Sequence, residues 1–144
     1  MGDKKYYNPS KGGRGHKGSG GFVDADGAIV QDYETVDIRN GVKVLKGLNG
    51  KDGLPLYSNS QNTQYFGMNK KGTIINQFRK YKGRRPYIDF DWSHQHGRYA
   101  IHIHRWFKNE EGNWIRGPNQ ELNKRSYNYF KKYLKGVAPT PDFT

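Results

Sequence analysis

Four histidines, His94, His96, His102 and His104, fall within eleven residues of one another. Two aspartates precede them in the run Tyr87-Ile-Asp-Phe-Asp-Trp-Ser-His-Gln-His-Gly-Arg-Tyr-Ala-Ile-His-Ile-His-Arg-Trp106. Imidazole titrates near neutral pH, so a pair of them can act as base and acid. Cleavage of RNA through its own 2′-hydroxyl needs that chemistry. A base takes the 2′-OH proton, an acid protonates the leaving oxygen, and cations hold the phosphate. His102 and His104 are the expected acid and base, with Asp89 or Asp91 orienting an imidazole. Arg79, Arg84, Arg85, Arg98 and Arg105 offer forked donors for phosphate. Trp106 offers a ring face to a base. This route requires no cofactor.

Two other functional uses compete with it. Neutral His with Asp is a ligand set for Zn, Mn or Fe, so His94, His96, His102 and His104 form an alternative site for one divalent metal ion. The spacing of Gly97, His102, His104, Glu110 and Gly117 comes near the first cupin motif, but it departs by one residue before the His pair. The second cupin motif is missing. The other use is binding without catalysis, in which Tyr and Trp stack on bases while Lys and Arg follow the backbone. The bland alternative is a solvated, polar sheet face.

The elements that must position these residues follow from pattern. Thr63–Met68 and Thr73–Tyr81 are expected strands around an Asn69–Gly72 hairpin turn. Tyr87–Trp92 alternates, with Ile88, Phe90 and Trp92 opposite Tyr87, Asp89 and Asp91. Arg98–Phe107 is the next strand, and Trp114–Arg116 a short edge strand. His102 and His104 share a face, and whether the aspartates share it depends on register. A helix is expected over 119–135, with Leu122, Tyr129, Phe130 and Tyr133 on its apolar face and Gly136 as its stop. Val42–Leu45 fits a strand or a helical turn. The expected fold is α+β: an antiparallel four- to five-stranded meander packed by a C-terminal helix. Residues 61–136 form its core, after a 22–60 segment of short elements and a flexible basic arm over 1–21, with 137–144 as a tail.

Composition bounds the partners. The chain has 144 residues, 25 Lys plus Arg against 13 Asp plus Glu, a formal charge of +12 and a pI near 9.8. Residues 1–21 carry +4, 22–60 carry −2 and 61–144 carry +10. Basic residues interleaved with aromatics favour RNA or DNA as partner over a lipid surface. With no cysteine there is no disulfide frame, Cys-based zinc site or thiol nucleophile. No run approaches 18 apolar residues, and no signal-peptide stretch opens the chain. A cytoplasmic site of action is expected, with no membrane partner; a protein that leaves its cell would use another route or be delivered as part of something larger.

The stretch from Gly53 to Gly136 resembles C-terminal toxin domains of bacterial polymorphic toxins, including those attached to prophage minor capsid proteins. The likeness lies in Gly53-Leu-Pro-Leu-Tyr-Ser-Asn-Ser60, in Arg84-Arg-Pro-Tyr-Ile-Asp-Phe-Asp-Trp92, in His102-x-His104-x-Trp106 and in the closing helix. It implies a small nuclease of the RNase kind, a helix packed on a twisted sheet, and His102, His104, Asp89 and Asp91 as site residues. A toxin of this charge implies an acidic immunity protein as partner. The basic arm and the extra His94 and His96 depart from the pattern. They leave a nucleic-acid-binding protein of a phage or mobile element as the alternative.

Overall fold

The computed structural model describes the backbone of residues 6–7, 21–23, 29–94 and 97–144, and the side chains of 32–94 and 97–144. Most of the 1–21 arm and residues 24–28 of the next segment lie outside the described residues. Three short strands, β1 (Tyr6–Tyr7), β2 (Gly21–Val23) and β3 (Ile29–Gln31), pair in that order as a small antiparallel sheet.

The main sheet has eight strands: β4 (Tyr33–Arg39), β5 (Val42–Gly47), β6 (Gln64–Met68), β7 (Ile75–Lys82), β8 (Arg85–Asp91), β9 (His102–Lys108), β10 (Trp114–Arg116) and β11 (Gln120–Glu121). Its order is β10-β9-β8-β7-β6-β5-β4, with β11 also paired to β9. The architecture is α+β and mostly antiparallel, as expected. The expected meander is β6 to β10, but the sheet is larger because 33–47 adds two strands and Gln120–Glu121 a third. Val42–Leu45 is strand. Its partner β4 turns back through Asn40-Gly41, both at positive φ (52° and 75°), the geometry of a tight primed hairpin turn. No helix among the described residues is long and apolar enough to cross a membrane.

β5 and β6 are parallel, so the chain must cross over between them. That crossover, residues 48–63, carries Leu54 and Pro55 onto one sheet face, where Leu54 packs with Tyr33, Leu45, Tyr65 and Tyr81. The opposite face packs Phe66, Phe78, Phe90 and Ile103 against Phe130 and Leu134 of the helix. The sheet is therefore covered on both faces, by helix on one and by crossover on the other.

The helix α1 runs Lys124–Leu134, shorter than expected, because Gln120 and Glu121 pair with Ile103 and His102 in β11. Asn123 caps it, its side chain accepting from the Ser126 amide at 2.8 Å. Its buried residues are Phe130 and Leu134. Tyr129, expected on the apolar face, is 76% exposed. Gly136 at φ 78° follows the helix as its stop. Asn40 of the β4–β5 turn donates to the Tyr133 and Lys135 carbonyls, satisfying orphan groups of the last turn.

Candidate active site

Register settles which residues meet. Asp89 lies opposite His104 and Asp91 opposite His102 across β8 and β9, while Arg79 and Gln77 of β7 lie opposite Asp89 and Asp91. Side chains alternate along strands, so both aspartates, both histidines, Arg79 and Trp106 share the sheet face away from the helix. Arg105, between His104 and Trp106, points to the helix side, where it donates to Ser126 Oγ at 3.1 Å.

The two aspartates differ sharply. Asp89 is fully buried and bound by arginines. Arg79 donates to both carboxylate oxygens, at 2.7 and 3.0 Å, and Arg116 Nε adds a third bond at 2.9 Å. Asp89 therefore anchors arginines and does not orient an imidazole. Arg79 is likewise buried. Its Nη1 donates to the Leu54 and Pro55 carbonyls, and its plane lies over the Trp106 ring at 4.8 Å. Burial, the largest single influence, lowers the Arg79 pKa, but the Asp89 charge, Tyr81 and their hydrogen bonds together outweigh it, so the guanidinium stays charged. It locks the crossover to the sheet, and it borders the cleft described below while being only 4% exposed.

Asp91 borders open space. Its Oδ1 accepts from the Ser93 amide at 2.8 Å and the Ser93 hydroxyl at 2.6 Å, and its Oδ2 accepts from Arg116 at 3.1 Å. Burial pushes the carboxyl up, but the Ser93 bonds, Arg116 and the His102 charge outweigh it, and the net direction is down. Asp91 is a carboxylate near neutral pH.

The imidazoles form a row beside it. His94 and His102 have ring centroids 5.9 Å apart, and His102 and His104 5.0 Å. Donor atoms of Asp91, His102 and His104 all lie within 4.8 Å of one another. His104 Nδ1 is 2.8 Å from the Gly117 carbonyl. A carbonyl only accepts, so Nδ1 carries the proton and Nε2 is the lone-pair nitrogen of the neutral ring. The same counting applies to His94. The Ser93 hydroxyl spends its one proton on Asp91, so across the 3.1 Å contact it accepts from His94 Nδ1. His94 Nε2 is then its lone-pair nitrogen. Exposure separates the three: His94 is exposed, His104 half-buried and His102 only 2% exposed. His102 cannot touch a phosphodiester in this conformation. His96 lies outside the described residues.

A cleft of 410 Å³ opens at this face. Asp91, Ser93, His94, Arg116, Trp106 and the crossover residue Leu54 are among the residues that line it. The other expected phosphate ligands are elsewhere. Arg84 donates to the Ser58 and Asn59 carbonyls, Arg85 lies over the Tyr57 and Trp114 rings, and Arg98 donates to the Thr144 carbonyl. Sequence reasoning missed Arg116 and Ser93. The signal for Arg116 was register: β10 paired to β9 sets it across from Trp106, two residues from His104 and on the same face. Comparison of the chain with protein-family models, with curated proteins and with solved structures finds no match.

Proposed function

We propose that the protein is a small basic ribonuclease that cleaves RNA by histidine acid–base chemistry without a metal ion. The observation that carries this reading is the row His94–His102–His104 beside the Asp91 carboxylate, with His94 and Asp91 lining a cleft, on a chain of charge +12. Electrostatics support an anionic substrate. Arg79 and Arg116 pair with Asp89 and Asp91, Asp52 also lines the cleft, and each histidine that takes a proton adds positive charge there.

In the proposed step His94 Nε2 takes the 2′-OH proton. The 2′-oxygen bonds to phosphorus, the bond from phosphorus to the 5′-oxygen breaks, and the His104 imidazolium protonates that oxygen. The products are a 2′,3′-cyclic phosphate and a free 5′-OH. His102 is a positioning residue, packed between the two and next to Asp91. Arg116 supplies positive charge at the cleft. The resemblance to polymorphic-toxin domains agrees with this activity. It adds two expectations, action on cytoplasmic RNA and neutralisation by an acidic immunity protein attracted by the opposite field.

A second reading rests on the donor atoms of Asp91, His102 and His104 within 4.8 Å, a two-histidine, one-carboxylate set able to hold one divalent ion. His104 bonding a carbonyl through its other nitrogen is the usual support for a ligating imidazole. End-group analysis of the cleaved RNA separates the readings. A 2′,3′-cyclic phosphate supports the histidine mechanism. A 5′-phosphate supports a metal-activated water. RNA left intact but bound in a salt-dependent manner makes the protein a binding module.

A further inference from the structure

The helix side of the sheet carries a second, larger cleft of 790 Å³, between β7, β8, β9 and the start of α1. Lys80, Lys82, Arg105 and Arg125 line it, and no carboxylate does. Lys132 lines the adjoining hollow together with Lys80. Cations this crowded repel one another. Partial burial first, and Lys132 second, hold the Lys80 ammonium below its ordinary value. The N-terminal end of α1 also opens here through Asn123 and Ser126, and its first turn has no acidic residue. A helix of this length adds a positive end to the same cleft. Tyr87 and Tyr129 border the cleft and are exposed. Arg105 marks the separation from the histidines: it neighbours His104 in sequence but points to the opposite face.

We infer that this cleft is a binding site for single-stranded RNA, separate from the histidine row. The cations and the helix end take successive phosphates, and the exposed tyrosines stack on unpaired bases. Single strands are favoured over duplexes because a duplex keeps its base faces stacked inside, out of reach of a tyrosine. An acidic polypeptide would satisfy the cations but not the ring faces. The inference does not depend on cleavage. A chain that binds here and cuts nothing satisfies it.

The test is fluorescence anisotropy of a labelled, uncleavable 2′-O-methyl 12-mer, titrated with the full-length protein. Arg105→Gln/Arg125→Gln should weaken binding about tenfold or more and reduce the salt slope by about 1.4, the share of two phosphates on a single strand. Tyr129→Ala should weaken it about fivefold or more, the low end of a base-stacking contribution. Lys70→Gln/Lys71→Gln, with the same charge change on the distant turn, should stay within about twofold. His94→Ala/His104→Ala should bind like wild type while losing cleavage, which keeps the two proposals separable. Circular dichroism and melting confirm that each variant folds. Equal loss in the Lys70/Lys71 control would overturn the inference, as would no loss in Arg105→Gln/Arg125→Gln. Tighter binding of a duplex, or more effective competition by polyglutamate than by RNA, would also overturn it.

Discussion

One hydroxyl joins Asp91 to His94. Ser93 Oγ donates to Asp91 Oδ1 at 2.6 Å and accepts from His94 Nδ1 at 3.1 Å. The chain of bonds fixes the tautomer of the most exposed imidazole in the row and aims its lone-pair nitrogen away from the carboxylate. The Ser93 amide binds the same oxygen, which ties the start of the loop to the end of β8. Ser93→Ala cuts this connection and leaves both ends in place. Cleavage should fall about tenfold, a fraction of what a general base supplies. Nitrogen chemical shifts of His94 should show the two tautomers mixing, with the melting temperature nearly unchanged.

His102 sits between two imidazoles with solvent access and has almost none itself. Its contribution to the reaction runs through charge and placement. His102→Asn is expected to lower cleavage and to move its pH profile, because a titrating neighbour has been removed from the row. A merely structural His102 would give a lower melting temperature with the profile unmoved.

Asp89 and Arg79 face each other across the ladder, both buried, and bond through two parallel N–H···O contacts. Replacing the pair by apolar groups need not destabilise, but removing one charge leaves the other buried and uncompensated. Asp89→Ala should therefore destabilise by about 3–5 kcal/mol. Equilibrium urea unfolding measures this, and Arg84→Ala, on a partly exposed side chain, serves as the mild comparison.

Asp91 gives the fold an acid-sensitive bond set. Its folded carboxyl lies below the ordinary 3.8, through Ser93, Arg116 and the His102 charge acting against burial. The unfolded chain then binds this proton more readily than the folded one. The stabilisation is complete above the unfolded value near 3.8 and is lost as pH falls through the lower, folded value. Asp91→Asn should flatten the acid limb of a urea-midpoint profile below about pH 4 while leaving its slope above about pH 5 unchanged.

The meander from β6 to β10 was legible because its strands alternate and its turns carry Gly, Asn or Pro. β4 was not, because its outward half is exposed, with Ile38 60% exposed, and a bulge between Thr35 and Asp37 interrupts its period. The pairing of aspartates with histidines hung on register. The strand begins at His102 rather than Arg98, and that longer loop brings His94 back over the sheet face. Arg79 read as a phosphate ligand because nothing local marks it as buried. What buries it is the Leu54-Pro55 crossover, some 25 residues earlier in the chain. Arg105 and Arg79 illustrate the same limit. Cations near a histidine in sequence can lie across the sheet from it, and alternation alone decides which do.

The most direct test of the histidine mechanism is cleavage of total RNA in excess EDTA by wild type and by His94→Ala/His104→Ala. Wild-type cleavage should survive the chelator, and the double variant, folded and still bound to RNA, should lose it by about 10²-fold or more, the scale of general acid–base catalysis. Loss of wild-type cleavage in EDTA, or full activity in the double variant, would contradict the mechanism.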